Sequence, residues 1–169
     1  VLFFFRDPER TVPEGKDLVV APADGRVIVV KDIYEPDYLK QDVKQISIFL
    51  SVFNVHVNRV PCGGTIETVR YNPGKFHVAS VDKASLDNEQ TGMVISDGRN
   101  KVLVKQIAGL IARRIVCYAK PGDTVKPGER YGLIRFGSRV DIFLPKNAGI
   151  MVKVGDRIKG SRDVIGVLK

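Results

Sequence analysis

What the chain lacks narrows its chemistry first. It has two cysteines, Cys62 and Cys117, far apart and without the spacing of a zinc ligand set. No metal site is therefore expected, and both thiols are expected to be reduced. Only two histidines, His56 and His77, are available as a general base. No stretch sustains the 3.6-residue apolar period of a long amphipathic helix. No apolar run approaches the roughly 20 residues needed to cross a bilayer. Nor is there a basic stripe interleaved with aromatics of the kind that reads RNA, which argues against a nucleic-acid partner.

What is present is positive charge. The formal charge is +8 and the pI about 9.6, which implies an acidic partner: nucleic acid, an anionic bilayer or a phosphorylated small substrate. The basic residues are dispersed, Arg113-Arg114 being the nearest to a cluster. At the N-terminus Val1-Leu2-Phe3-Phe4-Phe5 gives way sharply to Arg6-Asp7-Pro8-Glu9-Arg10. An apolar run ending in aromatics and Arg has the character of a membrane-segment border. Residues 1–10 are accordingly expected to be the end of an N-terminal hydrophobic segment, a buried first strand being the other reading. Residues 11–169 are expected to form one domain.

Short runs rich in β-branched residues recur between Gly and Pro, among them Val27-Ile28-Val29-Val30, Ile46-Ser47-Ile48-Phe49-Leu50 and Ile115-Val116-Cys117-Tyr118. Such runs predict strands and a mostly-β chain. Short helices are expected only over residues 36–41 and 106–113, and the second could equally be strand. Residues 21–27, 120–128 and 154–160 share a grammar of Pro-Gly, Asp-Gly and Gly-Asp turns. Hairpins of this kind recur in barrel-sandwich folds such as lipoyl and biotinyl carriers, a likeness that does not fix function.

The Gly137-Ser138 pair lies within Ile134-Arg135-Phe136-Gly137-Ser138-Arg139-Val140-Asp141. Taken alone it reads as a turn. It also has what self-cleavage requires: a hydroxyl able to attack the preceding carbonyl, and a glycine that leaves that carbonyl open. Serine is a poor nucleophile without a base. Alternation in Phe53-Asn54-Val55-His56-Val57-Asn58-Arg59 sets Asn54, His56 and Asn58 on one strand face. His77, in Gly74-Lys75-Phe76-His77-Val78, has a comparable setting. A carboxylate that holds the imidazole in one tautomer would help, and Asp24 is the candidate, although Asp-Gly is also a common hairpin turn.

Several segments, taken in order, resemble the phosphatidylserine decarboxylase family in its short bacterial and archaeal branch. They are Phe5-Arg6-Asp7-Pro8-Glu9-Arg10, Pro22-Ala23-Asp24-Gly25-Arg26-Val27, Phe53-Asn54-Val55-His56-Val57-Asn58-Arg59-Val60-Pro61, Asn72-Pro73-Gly74-Lys75-Phe76, Asp87-Asn88-Glu89 and Phe136-Gly137-Ser138. The resemblance implies autocatalytic cleavage between Gly137 and Ser138 into residues 1–137 (β chain) and 138–169 (α chain), with Ser138 converted to a covalent pyruvoyl cofactor. It implies His56 as the processing base with Asp24 as its partner, whereas His77 lies outside the matching segments. It further implies decarboxylation of phosphatidylserine to phosphatidylethanolamine through a Schiff base, the pyruvoyl group acting as electron sink. Longer members carry Leu-Gly-Ser-Thr at the cleavage site, and a second histidine where this chain has Arg59. Arg59 is expected to meet a substrate phosphate or carboxylate instead, and Phe53 to touch lipid tails or the core. The partners expected are a phospholipid, a membrane surface at the cytoplasmic face and a second copy in a homodimer. The rival readings are a carrier-like barrel-sandwich module without chemistry and a basic nucleic-acid-binding domain.

Overall fold

Runs of Val, Ile and Leu punctuated by Gly, Pro and Asp build fourteen strands in the computed structural model, which describes residues 10–51, 56–74, 88–109, 115–134 and 137–169. In chain order they are β1 (Leu18–Val20), β2 (Gly25–Glu35), β3 (Gln41–Leu50), β4 (Val57–Arg59), β5 (Gly64–Asn72), β6 (Gln90–Ser96), β7 (Lys101–Ile107) and β8 (Ile115–Cys117). There follow β9 (Thr124–Val125), β10 (Arg130–Ile134), β11 (Ser138–Pro145), β12 (Gly149–Ile150), β13 (Arg157–Ile158) and β14 (Val164–Val167). A curled eight-stranded sheet runs β13-β2-β3-β11-β7-β6-β5-β9, and two three-stranded sheets, β1-β14-β12 and β4-β10-β8, accompany it. The mostly-β, barrel-sandwich expectation holds.

Both edges of the large sheet are closed by the same turn. Lys120-Pro121-Gly122-Asp123 leads into β9, and Lys153-Val154-Gly155-Asp156 into β13. In each, the aspartate carboxylate accepts from the lysine N–H at 2.9 Å. The glycine N–H of each bonds back into the sheet at 2.8 Å, Gly122 to Ile66 and Gly155 to Val27. Edge strands only two residues long leave little unpaired backbone on which another chain could add.

The main core fills the space between the sheets with Val27, Ile46, Ile48, Leu50, Ile66, Val140, Ile142 and Leu144, each fully or almost fully buried. Strand periodicity sends Ser138, Val140, Ile142 and Leu144 of β11 to this core and Arg139, Asp141 and Phe143 to the opposite face. There Phe143 joins Val43, Val94 and Leu103, against which Tyr38 and Leu39 pack.

The helices expected over 36–41 and 106–113 do not form among the described residues. Residues 36–39 make a turn, because the Glu35 carboxylate collects the N–H groups of Asp37, Tyr38 and Leu39 at 2.6–3.0 Å and fixes them before Gln41 enters β3. Gln106 ends β7, paired with Val140 of β11, and residues 110–113 lie outside the described residues. Residues 1–9, on which the membrane-segment expectation rests, also lie outside them.

Candidate active site

The centre of the large sheet positions Ser138. It is the first residue of β11 and stands opposite Leu50, the last of β3, while the Gly137 N–H donates to the Leu50 carbonyl at 3.0 Å. Gly137 enters the strand with φ +78°, the left-handed region where a Cβ is costly. The Ser138 side chain is fully buried, and its Oγ has no hydrogen-bond partner among the described residues. A hydroxyl stranded in an apolar interior costs about 1–3 kcal/mol, and native proteins satisfy most such groups. Here the exception falls on the residue next to the open carbonyl.

His56 is bonded both to the end of β10 and to the residue that follows β3. Its backbone carbonyl accepts from the Ile134 N–H at 3.2 Å, at the end of β10. Its ring Nε2 lies 3.1 Å from the carbonyl oxygen of Ser51, the residue after Leu50. The end of β10 and the residue after β3 thus meet the same histidine. A carbonyl only accepts, so Nε2 carries the proton in that bond and the basic lone pair of the neutral ring is on Nδ1. His56 and Asn58 are fully buried and Val57 only half so: the polar face of this strand is the inward one.

Asp24 is placed differently from the expected imidazole partner. Arg10 grips its carboxylate through both terminal nitrogens, NH2 to Oδ2 at 2.7 Å and NH1 to Oδ1, and the Gly160 N–H adds a bond to Oδ1 at 2.8 Å. The carboxylate is thus committed to a guanidinium and a backbone amide. Arg59 is buried, with NH1 donating to the Gly128 carbonyl at 3.1 Å, and by alternation occupies the β4 face opposite Asn58. Phe53 and His77 lie outside the described residues. Cys62 and Cys117 are free thiols; burial, with Asp97 adding to it, pushes Cys62 up to about 12, which leaves it protonated and unreactive.

Three features escaped the sequence reading. Gln106 ties the large sheet to the small one, donating to Asn58 Oδ1 at 2.8 Å and to the Val116 carbonyl at 3.1 Å. Gly132 makes room for it, since a Cβ there would lie 2.7 Å from Gln106 Nε2 and 2.2 Å from the Val116 carbonyl oxygen. Asn58 Nδ2 and Gln106 Oε1, both buried, are left without partners on the same side of β11 as Ser138. Behind Ser138, Arg139 Nε donates to Asp141 Oδ1 at 2.7 Å and its NH2 to Ser47 Oγ at 3.1 Å, and Gln45 bonds Ser47 at 2.8 Å. The alternation of Arg139 and Asp141 within an apolar strand was the signal for that pair. Finally, a cleft of about 580 Å³ opens at the ends of β2, β3 and β13 and includes Ser51, whose carbonyl meets His56.

Comparison with known proteins finds similarity over nearly the whole chain. A family profile described as phosphatidylserine decarboxylase matches residues 1–166. A protein of Syntrophotalea carbinolica named phosphatidylserine decarboxylase proenzyme is 53% identical over 169 residues, covering 99% of this chain and 78% of that protein. Proteins of the same name are similar at 51% identity in Polynucleobacter asymbioticus, over 94% of this chain and 73% of the relative, and at 49% in Syntrophus aciditrophicus, over 97% and 78%.

Proposed function

Because this chain belongs to the phosphatidylserine decarboxylase family and is an enzyme that removes carbon dioxide from that lipid, we propose that its reactive carbonyl is made from Ser138 by self-cleavage at Gly137. The observation that carries the proposal is the buried Ser138 Oγ, without a partner among the described residues, beside Gly137 at φ +78°, with His56 bonded to Ile134 at the end of β10 and to Ser51 just after β3.

The residues present fit such a group. With a base at hand, Ser138 Oγ adds to the Gly137 carbonyl carbon, and the Ser138 nitrogen takes up a proton as the amide becomes an ester. Removal of the Ser138 α-proton then expels the Gly137 carboxylate, which keeps Oγ. Residue 138 is left as a dehydroalanine, and one water converts it to a carbonyl with release of ammonia. His56 Nδ1 is the base for the proton transfers, and Ser51 fixes the ring through Nε2. Once formed, the pyruvoyl carbonyl supplies an electrophile for the substrate amine and an electron sink for decarboxylation.

Asp24 acts through Arg10 and Gly160 by anchoring the turn before β2, a positioning role in place of direct contact with the imidazole. The products are chains 1–137 and 138–169. The positive charge of the chain suits an anionic membrane surface, where each nearby basic residue adds roughly 1 kcal/mol; among the described residues no helix is long and apolar enough to cross a bilayer.

Intact mass of the purified chain tests this. Two fragments corresponding to residues 1–137 and 138–169 are expected, the smaller without a free amino group. His56→Ala is expected to slow the cut about 10²–10⁴-fold, and His77→Ala to leave it unchanged. An uncut wild-type chain that still decarboxylates the lipid overturns the pyruvoyl mechanism, and a dependence on His77 instead of His56 overturns the choice of base.

A further inference from the structure

We propose that the cleft lined by Arg26, Phe49, Ser51, Arg157, Ile158 and Lys159 seats the phosphodiester of the phospholipid substrate, an inference that rests on the reaction proposed above and gives it a headgroup site.

The first argument is a pairing that folding alone disfavours. Arg157 of β13 and Arg26 of β2 stand directly opposite each other in an antiparallel pair, and both are exposed. Like charges directly opposite on neighbouring strands are destabilising. Lys159 adds a third cation to the same cleft, and none of the residues lining it is acidic. Two carboxylates adjoin the lining residues in sequence: Asp24, beside Gly25, is gripped by Arg10, and Asp156, beside Arg157, accepts from the Lys153 N–H at 2.9 Å. An anion bound among these three cations removes their repulsion, and guanidinium groups match phosphate oxygens in geometry as well as charge.

The second argument is place. Ser51 lines the cleft and is also the residue whose carbonyl holds His56, while Leu50 before it pairs with Ser138. Strand β2 lies two positions from β11 in the sheet, roughly 10 Å at ordinary strand spacing, and an arginine side chain recovers much of that distance. In a serine phospholipid only a few bonds separate the amine from the phosphorus. The register sets Arg26, Phe49 and Arg157 on the face opposite Ser138, so a phosphodiester among them reaches residue 138 by extending its amine around the end of β3, where the cleft opens. Phe49 and Ile158 give the cleft an apolar wall against which the glycerol end of the lipid can rest.

The test uses the processed enzyme with Arg26→Gln and Arg157→Gln combined, assayed on dihexanoyl phosphatidylserine below its aggregation concentration so that no membrane surface is present. Cleavage of the variant, read by intact mass, and turnover by the wild type report on the reaction itself; KM reports on the seat. We expect KM to rise about tenfold or more with kcat nearly unchanged. Inhibition by glycerophosphoserine should weaken by the same factor, and the thermal midpoint should hold or rise because a repulsive pair is gone. Restoring charge with Arg26→Lys and Arg157→Lys should recover most of the affinity. A wild-type KM on the soluble substrate overturns the proposal. So does a defect seen only on vesicles containing phosphatidylglycerol, which would make the cleft a membrane-docking surface, or a fall in thermal midpoint with equal losses in kcat and KM.

Discussion

On one face of β11 Arg139 and Asp141 are as deeply buried as any residues in the molecule, and each is engaged: the guanidinium with Asp141 and Ser47, the carboxylate with Arg139 and Gln45. On the other face of the same strand Ser138 is equally buried, and its hydroxyl bonds to nothing. The strand thus carries a charged pair that is satisfied and a neutral group that is not. Bonds on the outer face hold the backbone in register with β3 and β7. On the inner face the Ser138 hydroxyl has no partner among the described residues. Rigidity is supplied from one side, and the hydroxyl proposed to react stands on the other.

The largest effect expected from breaking this arrangement comes at Ser138. Ser138→Ala should abolish cleavage entirely, leaving a single chain by mass. Because the hydroxyl has no partner to lose, thermal unfolding should show equal or higher stability. A destabilised Ala variant would mean that the hydroxyl is satisfied after all. Next comes Asp141→Ala, which strands Arg139 in the interior and should cost about 3–5 kcal/mol in denaturant unfolding. The double change Arg139→Met with Asp141→Leu should recover most of that loss, and if it does not, the pair is doing more than holding the strand.

The smallest effect is expected at Glu35, whose carboxylate caps the turn that covers the outer face. Burial pushes its pKa up, but bonds from the Leu39, Asp37 and Tyr38 N–H groups and the charge of Lys105 outweigh this and leave it below its ordinary value of 4.5. A carboxylate with a depressed native pKa contributes stability that is present above its unfolded value and lost as the pH falls through the native one. Glu35→Gln should therefore cost about 1–2 kcal/mol at neutral pH, and the gap from wild type should close as the pH drops below 4.5. A gap independent of pH would assign the effect to packing.

Much of the fold was legible because its signals are local. β-Branched runs between turn residues gave the strands, and the repeated Gly-Asp turns gave the closed edges of the sheet. The helix expected over 36–41 failed because Glu35, outside the window, supplies the acceptors that a helix would have provided itself. At the site, Ser138 and His56 were legible as residue types suited to the chemistry, and the fold brings both to the end of β3. The partner of Asp24 was not, since Arg10 carries no sign in the sequence of where its side chain will end. Asn58 and Gln106 are neutral amides 48 positions apart, and nothing short of the three-dimensional register joins them.

The position of β11 inside the sheet also fixes the order of events in the life of the chain. It lies between β3 and β7, paired with β3 over its whole length, while β14 beyond it lies between β1 and β12. If the chain is cut before Ser138 as proposed, these strands first find their places as parts of one tethered polymer. Afterwards the fragment beginning at residue 138 is held by pairing and packing alone, and if the molecule unfolds the two pieces must meet again by diffusion. Under the proposed cleavage folding comes first, and the cut would make it hard to repeat. On the proposed cleavage the mature protein would owe its lifetime to the slowness of its unfolding, and its refolding yield should depend on concentration where that of the uncut Ser138→Ala chain does not.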